Sequence, residues 1–295
     1  MTDLSARTLP PRGSCLAVPA SSARKLKKAA ELAADEIVID LEDAVVPAGK
    51  EEAREAALAA LAAPQWERRT VAVRVNGPRT PWCHRDLEML AGLAGQPLSV
   101  VLPKVESAGD LAFAERLLDG VEAAAGRLSP LRLQALIETA AGLGAVGEIA
   151  ASCERLDALI LGYADLTASL GRAPRLAPER WIGAQESVLV AARANGLQAI
   201  DGPFLGVEPD DSFLAAARHA AELGFDGKWA IHPSQVEALN VCFAPSPAEV
   251  ERARATIAAL EQVDHGAVAL DGEMIDEASR LAAERLLARA ARPRR

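Results

Sequence analysis

The chain has 295 residues, of which 50% are hydrophobic, and its formal net charge at pH 7 is −9. This length and composition allow one large domain or two smaller ones with a sizeable core. The negative charge argues against a nucleic-acid-binding protein, which needs a basic surface. No apolar run approaches the length of a membrane span, so we expect no membrane partner.

Cysteine usage and the N-terminus bear on the cellular compartment. The cysteines are scattered without C-x-x-C spacing, which argues against a zinc site or a disulfide framework; they are Cys15, Cys83, Cys153 and Cys242. The first residues lack the apolar segment of a secretory signal. Both observations favour a reducing, cytoplasmic environment.

Short apolar segments alternate with helix-like segments along most of the chain. After residues 1–13, which we expect to form a mobile lead-in, the predicted strands span 15–19, 36–41, 70–75, 98–102, 133–137, 156–162, 197–200 and 228–231. The predicted helices span 23–34, 50–62, 82–93, 108–124, 140–152, 178–195, 210–223 and 234–242. Ser21 is expected to cap the first of these helices.

This alternation predicts an α/β fold, a closed (β/α)8 TIM barrel over residues 1–243. The strands are mostly continuous apolar runs, which indicates a sheet that is covered on both faces. A doubly wound open sheet is the alternative. No G-x-G-x-x-G motif follows the first strand, which favours the barrel.

Residues 244–295 depart from this pattern, and we assign them to a C-terminal helical extension. Ser246 and Glu249 form a capping box that opens a helix to about residue 263. Residues 266–272 are predicted to be a loop, and a last helix starts near Asp276 and runs toward a basic tail. The extension packs either on its own barrel or on a neighbouring subunit.

Two acidic residues follow neighbouring predicted strands at the point where each strand ends. Glu138 closes the fifth strand, and Asp165 lies just beyond the sixth. Strands joined by a helix run parallel, so both carboxylates emerge at the same edge of the sheet. Such a pair suggests a site for a hard cation such as Mg2+. The alternative is that each acid caps the helix that follows it.

Polar residues also end several of the other strands. Arg74 lies inside a Val-Ala-Val-Arg-Val run, where a guanidinium cannot be buried without partners. Acids at the same rim supply those partners, and Lys104 ends the fourth strand in a similar way. These residues predict a site with carboxylates for a divalent metal and an arginine for an anion. Two carboxylates are too few to complete the shell of Mg2+, so water and substrate oxygens would complete it.

Ordered sequence blocks carry a family resemblance. They are Asp40–Val45, Arg74–Gly77, Leu102–Glu106, Ile137–Thr139, Gly162–Thr167, Gly227–Gln235 and Gly272–Asp276. In this order they closely resemble the citrate lyase β-subunit-like (CitE-like) branch of the HpcH/HpaI aldolase superfamily. Malyl-CoA and citramalyl-CoA lyases belong to the same group.

The resemblance implies a Mg2+-dependent carbon–carbon lyase. Its substrate would be a short 3-hydroxyacyl-CoA thioester, such as citryl-, malyl- or citramalyl-CoA, which yields acetyl-CoA and an oxo-acid. By the same resemblance, Glu138 and Asp165 bind Mg2+. The implied substrate-binding residues are Arg74, Glu138, Lys104, Ala164 and Asp165, and the implied catalytic residues are Arg74, Asp276, Glu42 and Asp43.

The resemblance also bears on assembly. Family members are commonly trimers or hexamers, so a homo-oligomer is expected. The acid that matches Asp276 is placed over a neighbouring subunit's active site in the CoA lyases, and Asp276 is our candidate for the acid–base step. The basic cluster Arg24, Lys25, Lys27 and Lys28 either meets CoA phosphates or is a solvated helix face.

Some features depart from the family pattern and leave other functions open. Residues 13–20 lack the Arg and the Gly of the usual Arg-Ser-x-Leu-Phe-Val-Pro-Gly opening. One alternative is a malyl-CoA-type thioesterase, in which no enolate forms. Another is a non-catalytic assembly or sensor subunit that retains the pocket. Retention of Arg74, Glu138 and Asp165 together argues against a non-catalytic role.

Overall fold

A computed structural model describes residues 9–67, 69–93, 98–173, 178–262 and 266–291. The chain divides into two compact units, residues 1–242 and 243–295. The first eight residues of the expected lead-in and the basic tail at 292–295 lie outside the described residues. No helix in the described ranges is long and apolar enough to cross a membrane.

The first unit is a closed barrel of eight parallel strands, which confirms the predicted (β/α)8 fold. The strands are β1 (Ser14–Pro19), β2 (Glu36–Asp40), β3 (Thr70–Arg74), β4 (Leu98–Leu102), β5 (Arg132–Ile137), β6 (Leu156–Leu161), β7 (Gln198–Asp201) and β8 (Gly227–Ala230). Each strand pairs with its sequence neighbours, and β1 pairs with β8 to close the barrel.

Helices surround the strands in the alternating order of the sequence pattern. They are α1 (Ala23–Glu31), α2 (Lys50–Leu61), α3 (Cys83–Ala91), α4 (Ala108–Ala125), α5 (Ala140–Gly144), α6 (Val146–Ala150), α7 (Tyr163–Ser169), α8 (Ile182–Ala194), α9 (Asp211–Leu223) and α10 (Gln235–Cys242). Short 3-10 turns span Pro47–Gly49, Pro64–Trp66 and Pro178–Trp181.

Two helical regions differ from the sequence prediction. The predicted helix at 140–152 is two short helices, α5 and α6, because glycines in this stretch weaken a continuous helix. Helix α7 was not predicted, since seven residues are too few for a helical period to stand out.

The cap of α1 also differs from the prediction. Ser22, not Ser21, caps α1, because the Ser22 side chain accepts a hydrogen bond from the Lys25 amide.

Side chains alternate between the barrel interior and the helical layer, and this alternation separates the interior into levels. An apolar level is filled by Val38, Ala72, Val101, Leu136, Ile160, Ile200 and Trp229 with neighbours. Two residues further along three of these strands come Asp40, Arg74 and Glu138, at the carboxyl end. Two residues earlier come Glu36, Ser99, Gln134 and Gln198, at the amino end.

The lead-in prediction is wrong for residues immediately before β1. Arg12 is 1% exposed and extends into the amino end of the barrel. Its guanidinium donates to Glu36 Oε1 (2.8 Å), Gln198 Oε1 and Ser99 Oγ (3.1 Å). The segment is ordered because the buried carboxylate of Glu36 needs a cation, which Arg12 supplies, in addition to the Gln134 amide that donates to it at 2.9 Å.

The second unit contains α11 (Pro247–Glu261), a hairpin of β9 (Val268–Leu270) and β10 (Glu273–Ile275), and α12 (Glu277–Ala290). The capping box of Ser246 and Glu249 opens α11 as predicted. The predicted loop at 266–272 is instead largely hairpin. Its turn residues, Asp271 and Gly272, have φ angles of 52° and 86°, which suits a tight Asp-Gly hairpin turn. Strands of three residues are too short to show alternation in the sequence.

Candidate active site

Arg74 and Asp40 form the first element of the site, at the carboxyl ends of β3 and β2. The two residues are register partners on adjacent strands. Arg74 Nε and Nη2 donate to the two oxygens of Asp40 at 2.8 and 2.6 Å. Asp40 also accepts the backbone N–H groups of Glu42 (2.9 Å) and Ala44 (3.2 Å). Asp40 therefore fixes both the guanidinium and the turn that carries Glu42.

Asp40 was not among the predicted site residues. The sequence prediction expected acids around Arg74 but placed Glu42, Asp43, Glu138 and Asp165 there. The signal that could have identified Asp40 is its place at the end of β2, one strand from Arg74 in the barrel order.

The rest of the Arg74 guanidinium faces two further acids and an aromatic ring. Nη1 lies 3.0 Å from Glu42 Oε2 and 3.9 Å from Asp43 Oδ2. The Glu42 contact is an ion pair without hydrogen-bond geometry, since this oxygen has no hydrogen-bond partner. The guanidinium carbon is 5.6 Å from the centre of the Trp229 ring. Burial lowers the pKa of Arg74, but the hydrogen bonds and charge of Asp40, with Glu42, raise it overall, so the side chain stays cationic.

Lys104, immediately after β4, connects four of the predicted acids. Its backbone N–H donates to Glu138 Oε1 at 2.9 Å. Its ammonium pairs with the Glu42 carboxylate and lies 3.2 Å from Asp165 Oδ2 and 3.8 Å from Asp43 Oδ1. Its φ is 53°, a left-handed conformation that costs energy in a residue other than glycine and often occurs at functional sites.

Glu138 is deeply enclosed, with 4% of its surface exposed. Burial and the nearby charge of Glu42 raise its pKa to about 8, although Lys104 and Arg74 oppose the shift. Its side chain packs directly on Gly162. A Cβ at Gly162 would lie 2.6 Å from Glu138 Cβ and 2.8 Å from Oε2, so only glycine fits there.

Asp165 lies in the first turn of α7, beside the exposed Ala164. Its side chain is 38% exposed, and that of Asp43 is 60% exposed. The helix-cap alternative for the two acids does not describe this structure. The N-cap of α5 is Thr139, whose hydroxyl accepts the Gly142 N–H, and the N-cap of α7 is Gly162.

The carboxylates of this site are few for a Mg2+ ion, the hard divalent cation that the sequence suggests. Among the described residues there is no group of three or more His, Cys, Asp or Glu side chains arranged to hold a metal. Two carboxylate ligands nevertheless fit Mg2+, which keeps several waters and accepts substrate oxygens. Burial and neighbouring carboxylates raise the pKa values of Glu138 and Glu42, and Glu42 Oε2 has no hydrogen-bond partner among the described residues, so a cation here would stabilise the charged carboxylates. Glu138 and Asp165 are therefore the residues that could hold the ion.

A groove of about 280 Å3 lies at the end of β1, between α1 and the segment after β8. Arg24, Lys25 and Lys28 line one side of it, and His232 lies on the other. Of the predicted basic cluster, Lys27 is not among the residues that line the groove. His232 Nδ1 is 2.7 Å from Ser234 Oγ, across the turn at Pro233.

Asp276 belongs to the second unit, where it is the N-cap of α12. Its carboxylate accepts the Ser279 N–H at 3.1 Å, and the Ser279 hydroxyl accepts the Asp276 N–H. Within that unit Asp276 has a structural task, and its side chain is exposed.

The sequence blocks, the closed barrel and this rim of charges indicate one family. A family model of the HpcH/HpaI aldolase/citrate lyase family matches residues 14–233, from β1 to the segment after β8. The chain belongs to the HpcH/HpaI aldolase/citrate lyase family. The resemblance inferred from the sequence blocks is thereby confirmed.

Two relatives and one crystal structure show the extent of this similarity. An L-malyl-CoA/beta-methylmalyl-CoA lyase of Cereibacter sphaeroides is 38% identical, over 88% of this chain and 89% of the relative. A (3S)-malyl-CoA thioesterase of the same species is also 38% identical, over 95% of both chains. The crystal structure of CitE from Mycobacterium tuberculosis with magnesium, acetoacetate and coenzyme A is 33% identical. It has a TM-score of 0.76 and covers 95% of this chain and 98% of its own.

Proposed function

We propose that this HpcH/HpaI family member is a Mg2+-dependent carbon–carbon lyase. It cleaves or forms a short 3-hydroxyacyl-CoA thioester, such as malyl-, citramalyl- or citryl-CoA, with acetyl-CoA and an oxo-acid as the other partners. The observation that carries the proposal is the rim where Arg74 faces the carboxylates that Lys104 connects. The malyl-CoA lyase relative and the CitE complex with magnesium and coenzyme A support the same chemistry.

In this proposal Glu138 and Asp165 hold the metal. When bound, Mg2+ supplies positive charge for the oxygens of the hydroxy-acid end. Lys104 keeps the two acids in place, since its N–H binds Glu138 and its ammonium lies beside Asp165. Ala164, with no bulk beyond Cβ, leaves room for substrate beside Asp165.

Arg74 stabilises the charge that develops on the thioester. Cleavage breaks the bond between C2 and C3 of the acyl chain and moves its electrons toward the thioester oxygen. A guanidinium has five N–H donors, and Asp40 accepts only two of them in hydrogen bonds. Arg74 is therefore held rigidly and still has N–H groups for that oxygen, as electrostatic catalysis requires.

Two proton movements complete the reaction. The 3-hydroxyl group loses its proton as the oxo-acid forms, and C2 of the thioester gains one. We infer that Asp276 performs this acid–base work from a neighbouring subunit of a homo-oligomer, a trimer or a hexamer. Glu42 and Asp43 orient Arg74 and Lys104 through the ion pairs described above.

We assign the basic groove beside β1 to the CoA phosphates. Arg24, Lys25 and Lys28 supply three cations at its wall. The groove adjoins the end of a barrel strand, which is the end where active sites of this fold lie.

A thioesterase is the second candidate function, and one observation favours it. The (3S)-malyl-CoA thioesterase matches 95% of this chain, against 88% for the malyl-CoA lyase. Thioester hydrolysis would release malate and free CoA, with the carbon chain intact.

Product analysis separates the two functions. Malyl-, citramalyl- and citryl-CoA are each incubated with the protein, with Mg2+ or with EDTA. A lyase gives acetyl-CoA and an oxo-acid in equal amounts, only with Mg2+ and without early release of CoA thiol. Malate and thiol without any oxo-acid would identify a thioesterase. No turnover of any substrate by folded protein would contradict the proposal.

A further inference from the structure

The short helix α7 carries Asp165 but has few means of holding its own position. It has seven residues, and its N-cap Gly162 makes no side-chain capping bond. A helix of this length is not stable by itself. Only Leu166 of its residues is buried. The direction of the Asp165 carboxylate therefore depends on what anchors α7 to the barrel.

The first residue of α7, Tyr163, is anchored by its hydroxyl group. This hydroxyl donates a hydrogen bond to Asp201 Oδ1 and accepts one from Gln185 Nε2 at 2.8 Å. The Tyr163 ring also meets the Trp181 ring edge-on, with centroids 5.1 Å apart. Tyr163 thus connects the end of β6 to β7 and α8.

Asp201 and Lys228 form a buried ion pair behind this tyrosine. Their exposed fractions are 1% and 2%, and Lys228 Nζ also donates to the Gly202 carbonyl at 2.6 Å. Since Ile200 and Trp229 point into the barrel, the adjacent Asp201 and Lys228 point outward, toward the helical layer. The pair is fixed by both strands and gives Tyr163 a rigid partner.

Close packing at Gly202 brings these elements together. A Cβ at Gly202 would lie 2.1 Å from the Leu161 carbonyl oxygen and 2.9 Å from the Tyr163 ring. The other end of α7 is tied to the Glu138 side of the site, because Ser169 Oγ accepts the Ala140 N–H at 2.8 Å. Helix α7 is therefore held at both ends, by Tyr163 and by Ser169.

We propose that Tyr163, held by Asp201, Lys228 and Gln185, is a positioning residue that aims Asp165 at the divalent cation. This inference rests on the proposed function, in which Asp165 is a metal ligand. The Tyr163 hydroxyl is engaged by Asp201 and Gln185, so its proposed role is one of positioning. It acts through the orientation of α7, as groups behind a metal ligand commonly do.

The test is a calorimetric titration of the full-length protein with Mg2+ at constant pH and ionic strength. Tyr163→Phe removes one hydroxyl group that makes two hydrogen bonds. The matched control is Ser14→Ala at the amino end of β1, where one hydroxyl also makes two, to Asn240 and from the Asp35 N–H. Both variants lose stability in EDTA. Only Tyr163→Phe is expected to weaken Mg2+ binding, with a dissociation constant raised roughly 10-fold.

Two further variants separate the possible failures. Asp165→Asn is expected to abolish Mg2+ binding; if it binds like the wild type, the metal assignment fails and this inference with it. If Asp165→Asn loses binding but Tyr163→Phe stays within about 2-fold of Ser14→Ala, the positioning role alone is overturned. If Tyr163→Phe fails to fold, Gln185→Met repeats the test, because it removes the donor to the tyrosine hydroxyl. A raised Mg2+ dissociation constant in Gln185→Met supports the positioning role, and an unchanged constant overturns it.

Discussion

Two arginines lie at opposite ends of the barrel, and the hydrogen bonds of their guanidinium groups differ. Arg12, at the amino end, has a fully enclosed side chain, and its Nε, Nη1 and Nη2 atoms each donate to an acceptor. Arg74, at the carboxyl end, is 12% exposed and faces acids that it does not fully neutralise. The pKa of Glu138 reaches about 8 in that cluster because burial and Glu42 outweigh the nearby cations.

A structural arginine differs from a functional one in how completely its N–H groups are used inside the protein. At the amino end each guanidinium nitrogen of Arg12 donates to a side chain of the barrel interior, although Glu36 Oε2 and Gln134 Oε1 have no hydrogen-bond partner within the described ranges. At the carboxyl end the charge of the buried Glu138 carboxylate is not fully compensated by nearby cations, and Arg74 keeps N–H groups that Asp40 does not accept. This is expected where a substrate and a metal ion complete the interactions. Burial of an arginine alone does not separate the two cases.

Replacement of Arg12 should have the largest effect on stability. Arg12→Met leaves Glu36 as a buried carboxylate without its cation, which costs roughly 3–5 kcal/mol. Urea unfolding at neutral pH would measure the loss. Activity per folded molecule should stay near that of the wild type. A stable Arg12→Met protein with lost activity would contradict a purely structural role for Arg12.

Replacement of Arg74 should lower activity more than it lowers stability. Arg74→Met removes the group that stabilises charge on the thioester, and we expect kcat/KM to fall roughly 10³-fold. The loss of stability should be smaller than for Arg12→Met, since backbone N–H groups still bind Asp40 and the site is open to water. Steady-state kinetics and unfolding of the same preparation give both numbers. An unchanged kcat/KM would remove Arg74 from the mechanism.

The sequence identified Arg74 but not Arg12, and the reason is physical. An arginine within an apolar run shows its anomaly locally, whereas Arg12 stands in a polar segment next to prolines. Its partners Glu36, Ser99 and Gln198 are 24, 87 and 186 residues away, and local periodicity carries no information on such contacts. The barrel itself was predictable because its strands repeat the same local pattern.

Two substitutions would show whether Asp276 has a structural role or a catalytic one. Asp276→Asn keeps a good N-cap, so its melting temperature should match the wild type, while Asp276→Ala loses about 1 kcal/mol. If Asp276 is the acid–base group, both lower kcat, by roughly 10²-fold or more. Full activity of a stable Asp276→Asn protein would leave Asp276 as a helix cap only.

Glu138→Gln should raise stability in EDTA while it abolishes activity. Folding raises the pKa of this carboxyl from 4.5 to about 8, so the folded state binds the proton more tightly than the unfolded state. Stability from this group is complete below pH 4.5 and is lost as pH rises toward 8. Gln has no such loss, and the variant should gain roughly 2 kcal/mol at pH 8 but little at pH 5.

Thermal unfolding at the two pH values measures this gain. Glu148→Gln, at an exposed position of α6, is the control and should change little at either pH. A large loss of stability in Glu138→Gln at pH 8 would mean that the carboxylate has a structural role.

The candidate site was predictable in its residue types but not in its connections. Glu138, Asp165 and Arg74 were expected at one rim from strand ends alone, and the structure brings their elements together there. The left-handed backbone of Lys104, which turns its N–H to Glu138, has no sequence signal because lysine rarely adopts it. The link from Tyr163 to Asp201 also spans strands and could not be predicted from local pattern.

The most direct test of the account is whether metal and oxo-acid bind together. Two carboxylates leave most of an octahedral shell to water and substrate oxygens, so an oxo-acid should tighten Mg2+ binding. Calorimetric titration of Mg2+ into wild-type protein, with and without saturating glyoxylate, should show a dissociation constant at least roughly 10-fold lower with glyoxylate. The same titration of Asp165→Asn should show no binding. A Mg2+ affinity that glyoxylate leaves unchanged, or that survives in Asp165→Asn, would contradict the proposed site.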